Sequence, residues 1–115
     1  MNSDELYRDI SRYLKGVKVD FSKYEPDLSG LTDFEQVVLN ETRKIPYGAI
    51  ITYSELADRI GSSGGARAVG QALSKNPCPI IIPCHRVVAK NSVGGYSGGV
   101  GLKKQLLEIE SNEVL

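Results

Sequence analysis

Three prolines within seven residues, Pro77, Pro79 and Pro83, bracket the apolar run Ile80-Ile81-Ile82. Each proline fixes its own φ and drives the residue before it out of the helical region, so no regular helix can run through this stretch. The pattern predicts a buried, extended segment that delivers the residues after Pro83 to a fixed place. Those residues are Cys84, His85 and Arg86, and His85 is the only histidine of the chain. A fixed cysteine beside a histidine admits three readings: a reactive thiolate, part of a metal site, or an inert buried thiol. At roughly 3.3 Å per extended residue Cys78 would lie about 20 Å from Cys84, too far for a disulfide, so both are expected as free thiols.

Upstream, Leu6, Ile10, Tyr13 and Leu14 recur at helical spacing behind Ser3, which predicts an amphipathic helix over residues 4–15 capped by Ser3. Gly16, Pro26 and Gly30 punctuate a loop or linker over 16–30. Thr32 with Glu35, and Thr52 with Glu55, each form a capping-box pattern. The first opens a predicted helix over 33–44, with Phe34, Val37, Val38 and Ile45 as its apolar stripe and Pro46-Tyr47-Gly48 as its end. The second opens a short helix through Leu56 and Ile60, stopped by Gly61. A turn over 62–65 leads into a third helix, GARAVGQALSK, halted by Asn76-Pro77. Two short helices joined by a glycine-bearing turn outline a helix-turn-helix.

In that third helix Val69 and Leu73 fall on one face and Arg67, Gln71 and Lys75 on another, each set spaced by four. Gly64, Gly65, Ala66, Ala68, Gly70 and Ala72 keep its surface low. A low surface carrying Arg and Lys suits close approach to a phosphate backbone or groove; tight packing against another helix is the plainer alternative.

The bulk properties neither demand nor forbid such a partner. Fourteen basic and fourteen acidic residues give a formal net charge of zero, which leaves room for a local basic face only. A chain of 115 residues with 41% hydrophobic content is expected to form one domain. No apolar stretch approaches the length needed to span a bilayer, and MNSDELYRD lacks the basic start and apolar centre of a signal peptide. The expectation is a cytoplasmic protein with no membrane partner, associated with the nucleoid if the source is prokaryotic.

Downstream, GGYSGG over 94–99 is a glycine-rich loop whose backbone can approach a flat ligand, with Tyr96 as an aromatic wall. It lacks the lysine and spacing of a phosphate-binding loop. A last helix over 101–111 carries Leu102, Leu106 and Ile109 on its apolar stripe, with Glu110 beside them. A carboxylate at the edge of a core-facing stripe needs a partner, and the single His85 is the obvious one. Cys84, His85 and Glu110 then read as nucleophile, base and orienting acid, with a water between the adjacent Cys84 and His85 because neighbouring side chains point apart.

The run RAVGQALSKNPCPIIIPCHRVV, followed by GGYSGG and KKQLLEIE, resembles the O6-alkylguanine-DNA alkyltransferases, also called methylated-DNA-protein-cysteine methyltransferases, continuously over residues 31–112. The resemblance implies a mainly helical domain with short strands, winged and helix-turn-helix-like, preceded by one N-terminal helix. Residues 1–30 would then be that helix and its linker, a remnant of or a substitute for the family's N-terminal domain, and 31–115 the DNA-binding catalytic domain. It implies repair by direct reversal: minor-groove binding of duplex DNA, extrusion of an alkylated guanine, and irreversible transfer of its O6-alkyl group, or that of O4-alkylthymine, to a cysteine.

By position, the resemblance makes Cys84 the acceptor, His85 its base and Glu110 the holder of the imidazole. Tyr53 stands beside the flipped nucleotide and Asn76 ties the recognition helix to the active-site turn. Arg67 enters the stack in place of the flipped base, within a DNA-binding set that also includes Ala66, Ala68, Gly70, Gln71 and Lys75. The carbonyls of Cys84 and Val87 would accept from the guanine amino group, Ser97 would approach O6, and Pro79 and Tyr96 would bound the alkyl pocket. No cofactor or metal is implied, and a monomer is expected.

Two rivals remain at this point. Alkyltransferase-like proteins bind the lesion without reacting, but lack the acceptor cysteine. A metal-binding regulator would have only Cys78, Cys84 and His85, at spacings that fit no common zinc site.

Overall fold

The structure, a computed structural model, describes residues 3–96 and 98–111. It is mainly helical. Helix α1 spans Ser3–Leu14, α2 Asp33–Thr42, α3 Tyr53–Arg59, α4 Ala66–Leu73 and α5 Val100–Ser111. Strands β1 (Ile51–Thr52) and β2 (Val87–Val88) pair in parallel, Ile51 opposite Val87 and Thr52 opposite Val88, and a 3-10 turn covers Cys84–Arg86.

Both capping boxes form. Thr32 and Thr52 accept from the amides of Glu35 and Glu55, whose carboxylates accept in return from the threonine amides. Gly61 follows α3 at φ 76, a left-handed conformation that an L side chain resists. The element ends differ modestly from expectation. Ser3 lies inside α1, and α2 stops at Thr42, short of Lys44.

Helices α2, α3 and α4 pack on one another around Val38, Leu39, Leu56, Ala57, Val69, Ala72 and Leu73. This cluster reaches through Ile51, Ile82 and Val87 to Cys84. A second cluster joins Tyr13 of α1 to Phe21, Tyr24, Ile81 and Leu106. Cys84 belongs to the first cluster and the Tyr13 ring of the second stands 6.4 Å from that of His85, so the Cys84–Arg86 turn lies between the two. Residues 16–30 are seated on the protein: Phe21 and Tyr24 are buried, the Tyr24 hydroxyl donates to Asp9 at 2.6 Å, and Arg43 donates to the Tyr24 carbonyl at 2.6 Å.

Several expected core positions face outward instead. Leu14, Val37 and Leu102 are each between 42% and 49% exposed, and Ala72, expected on the low outer face of α4, is buried. The larger correction concerns the proline segment. It does not extend but turns back at Ile80 and Ile81, the Ile82 amide donating to the Cys78 carbonyl at 3.0 Å and Pro79 bridging Ile82. Ile80 takes φ 78, costly for a β-branched residue by about 1–3 kcal/mol. Burial of Ile81 and Ile82 offsets that cost. The extended-chain distance between the cysteines therefore does not apply, although both thiols are free.

No helix among the described residues is long and apolar enough to cross a membrane.

Candidate active site

The folded-back proline segment brings Cys84 beside the end of α4, and Asn76 makes the join. Its amide nitrogen donates to the Ile82 carbonyl at 2.9 Å and to the Cys84 sulfur at 3.1 Å, while its side-chain oxygen accepts from the Cys78 amide at 2.8 Å. Three bonds from one side chain lock the turn to the helix. Cys84 is 5% exposed and forms part of the wall of a cavity of about 710 Å³. Tyr53, Ala66, Arg67, Gly70, Gln71, Leu73 and Tyr96 are among the other lining residues. Ala68 and Lys75 are exposed on α4 and just beyond it, and neither they nor Pro79 and Val87 line the cavity. Ser97 lies outside the described residues. A separate cavity of about 430 Å³ sits behind the turn, between residues 18–22 and Arg43–Tyr47, and Cys84 does not line it.

Behind Cys84, His85 is fully buried, and its Nε2 lies 2.6 Å from Glu110 Oε2. The Glu110 carboxylate also accepts from Arg86 Nε at 2.9 Å and Nη2 at 3.0 Å, from the Tyr13 hydroxyl at 2.5 Å and from the Gly48 amide at 3.1 Å. Burial alone would push this carboxyl up, but the bonds from His85, Arg86 and Tyr13 outweigh it and bring it down to about 2. An ionised carboxylate only accepts, so Nε2 carries the hydrogen. His85 Nδ1 is thereby left as the acceptor nitrogen, and it has no hydrogen-bond partner among the described residues. The acid–base pair expected from the sequence is thus brought together, and Cys84 makes no direct bond to His85.

The sulfur itself is not held as a resting thiolate. Burial pushes the Cys84 thiol up, and the Asn76 amide and the Lys103 ammonium act against this without overcoming it. Lys103 has no exposed surface; its ammonium donates to the Val87 carbonyl at 2.7 Å, to the Gly95 carbonyl at 3.0 Å and to the Tyr53 hydroxyl at 3.4 Å. Burial lowers its own proton affinity. The Val87 carbonyl, expected to meet a guanine amino group, is therefore engaged by Lys103. The Tyr96 hydroxyl is buried, has no hydrogen-bond partner among the described residues, and has its proton affinity raised by burial and by the nearby Cys84 sulfur.

Tyr53 is held edge-on between two glycines. A Cβ at Gly94 would lie 2.6 Å from its hydroxyl, and one at Gly70 would lie 3.8 Å from its ring. Any side chain at Gly94 would displace Tyr53, and φ 76 there independently favours glycine.

Tyr13, Arg86 and Lys103 had no assigned role in the sequence reading, and all three are buried polar partners of the site. Arg86 was within reach, since a core carboxylate calls for a cation. Lys103 carries a signal in its spacing, falling three and seven positions before Leu106 and Glu110 on the inner face of α5. Among the described residues no group of three or more His, Cys, Asp or Glu side chains could hold a metal ion.

A thiol in the wall of a cavity, backed by a histidine–carboxylate pair and bordered by the second helix of a helix-turn-helix, defines a cysteine-centred protein of nucleic-acid-binding architecture. The comparisons narrow this class. A sequence model described as 6-O-methylguanine DNA methyltransferase, DNA binding domain, matches residues 33–112. A methylated-DNA--protein-cysteine methyltransferase of Metallosphaera sedula is 45% identical over 107 residues, covering 93% of this chain and 67% of its own length. The crystal structure of Mycobacterium tuberculosis OGT in complex with DNA superposes with a TM-score of 0.88 at 42% identity, covering 94% of this chain and 66% of that one. Schizosaccharomyces pombe Atl1, in complex with damaged DNA containing O6-carboxymethylguanine, gives 0.61 at 32% identity over 70% of this chain and 77% of its own. The chain belongs to the O6-methylguanine-DNA methyltransferase family, and it spans about two thirds of the length of the first two relatives.

Proposed function

We propose that this protein repairs DNA by taking an alkyl group from O6 of guanine onto the sulfur of Cys84, once per molecule. The observation that carries the reading is the placement of Cys84: its sulfur lies in the wall of the cavity beside α4, while His85 and the ionised Glu110 stand behind it. Duplex DNA is the partner, met by the exposed Arg67 and Gln71 and the low surface of Ala66, Ala68 and Gly70, with Lys75 on the flanking phosphates. The lesion must leave the stack to reach the sulfur, and Arg67 fills the gap it leaves.

In the reaction the Cys84 thiol proton passes to His85 Nδ1, relayed by a solvent molecule, and Glu110 stabilises the imidazolium that results. The sulfur attacks the alkyl carbon, a C–S bond forms, and the C–O6 bond breaks with its electron pair retained by the guanine. Tyr53, whose hydroxyl accepts from Lys103, supports protonation of the departing base. Because the resting thiol is held protonated by burial, ionisation belongs to the substrate-bound state, where the cavity is filled and the Lys103 charge acts through a drier medium. The thioether product offers no good leaving group, so one equivalent ends the reaction.

Lesion recognition without chemistry, as an alkyltransferase-like protein, is the second reading; Atl1 resembles this chain structurally. The presence of Cys84, with a base behind it, favours transfer. Incubation with duplex O6-methylguanine DNA followed by peptide mass mapping decides between them. One methyl group should appear on Cys84 and none on Cys78, and Cys84→Ser should bind DNA without accepting it. Repeated turnover, or labelling of Cys78 in place of Cys84, sinks the proposal.

A further inference from the structure

Tyr13 lies on α1, outside the matched residues 33–112, yet it reaches the centre of the catalytic pair. Its side chain is fully buried, its hydroxyl donates to Glu110 Oε2 at 2.5 Å, and its oxygen stands 3.2 Å from His85 Nε2. We propose that Tyr13 is a positioning residue for His85, setting the basicity of the imidazole through the Glu110 carboxylate it shares with it. The consequence for alkyl transfer rests on the reading of His85 as the base for Cys84; the effect on the imidazole itself does not.

The charges and titratable groups around the ring define what Tyr13 can do. Glu110 faces it from α5, Arg86 and Cys84 flank it on its own turn, and Lys103 approaches the Cys84 side from α5. The Tyr47 ring, between α2 and β1, packs edge-on against Tyr13 at 6.1 Å and under the Arg86 guanidinium at 5.8 Å. Burial and the Glu110 carboxylate both drive the Tyr13 phenol far up, so it keeps its proton and acts as a donor. With its one hydrogen committed to Glu110, it presents only lone pairs toward Nε2. That favours the tautomer with the hydrogen on Nε2 and the free lone pair on Nδ1.

Two effects oppose each other, and distance decides between them. The short bond to Glu110 draws charge away from the carboxylate and weakens its hold on an imidazolium. The longer contact of the Tyr13 oxygen with Nε2 favours the imidazolium. A 2.5 Å bond to an anion outweighs a 3.2 Å contact whose nitrogen already donates to Glu110 at 2.6 Å. The net action of Tyr13 is to keep His85 less basic than the bare pair would make it, so that neutral imidazole is available at lower pH.

His85 is the only histidine, so in untagged protein its ring signals in an NMR titration need no assignment. Tyr13→Phe keeps the ring packing and removes the hydroxyl. The His85 midpoint should rise by about half a pH unit or more, and the acid limb of the Cys84 methylation rate should move up with it. If Phe impairs folding, 3-fluorotyrosine at position 13 keeps the shape and strengthens the donor, and the midpoint should fall. An unchanged or lowered midpoint in folded Tyr13→Phe, or no fall with fluorotyrosine, overturns the proposal. A shifted midpoint in a protein that never methylates Cys84 upholds the role of Tyr13 and removes the transfer reading instead.

Discussion

Helices α4 and α5 border the same site and are built on opposite plans. On α4 the buried positions are Val69, Ala72 and Leu73, and the polar residues Arg67 and Gln71 face outward. On α5 the buried positions are Lys103, Leu106 and Glu110, while Leu102 is 42% exposed. Each buried charge of α5 has its own partners: Lys103 meets the carbonyls of Val87 and Gly95, and Glu110 meets Arg86, His85, Tyr13 and the Gly48 amide. One helix leaves its polar groups on the surface, and the other spends them inside the protein around a thiol and an imidazole. Substitutions on α5 should therefore damage fold and chemistry together, whereas those on the outer face of α4 should damage only the encounter with DNA.

The sharpest break of that contrast is Glu110→Gln. An amide cannot serve five donors, and the change leaves the Arg86 guanidinium buried without its counter-charge. The cost should be about 3–5 kcal/mol of folding stability, read as a lower denaturant midpoint, with slowed methylation of Cys84. The pH dependence gives an independent check. The folded carboxyl lies at about 2 against an ordinary 4.5, so Glu110 binds fewer protons folded than unfolded between those values. Its contribution is complete above the ordinary value and is lost as pH falls toward the folded one. The parent should lose stability over that window, and Glu110→Gln should lose distinctly less. Equal acid slopes in the two proteins would show that the carboxylate is not held ionised.

What the sequence made legible divides along the same line. Both capping boxes, the Gly61 stop and the outward set on α4 depend on neighbours within four positions, and pattern reading finds such features. Pairing Glu110 with His85 succeeded because a chain with one histidine leaves few partners for an inward carboxylate. Tyr13 meets Glu110 across 97 positions, and periodicity could only assign it to an apolar stripe. Lys103 reads as an ordinary solvated lysine until the loop carbonyls it binds are in place. The turn at Ile80 defeats the extended reading because a β-branched residue is the least expected one at positive φ, and burial of Ile81 and Ile82 just after it offsets the strain.

Lys103→Met should have the intermediate effect. Methionine fills much of the lysine's volume without a charge, so the loss is the donor to two carbonyls, about 1–2 kcal/mol of stability, less than for Glu110→Gln. Removing the cation should push the Cys84 thiol further up, and one unit of that shift would slow methylation roughly tenfold at neutral pH. Mass-resolved alkylation of Cys84 across pH measures the shift directly, with Cys78 in the same sample as reference. If Cys84 reacts as before, Lys103 is a structural tie of the Gly95 loop and not an influence on the sulfur.

Arg67→Ala should have the smallest effect on the protein and still a clear one on its function. The side chain is exposed on α4 and contributes to no ion pair or hydrogen bond identified among the described residues, so stability should stay within about 0.5 kcal/mol of the parent. In duplex DNA the variant loses the group proposed to fill the space of an extruded guanine, a contact on the scale of about 1–3 kcal/mol. Methylation from duplex O6-methylguanine should slow accordingly, while reaction with the free alkylated base, which needs no extrusion, should proceed nearly as in the parent. The two substrates thus separate recognition from chemistry at one position. An equal loss on both would place Arg67 with the inward groups of α5, and the division of labour between the two helices would fail.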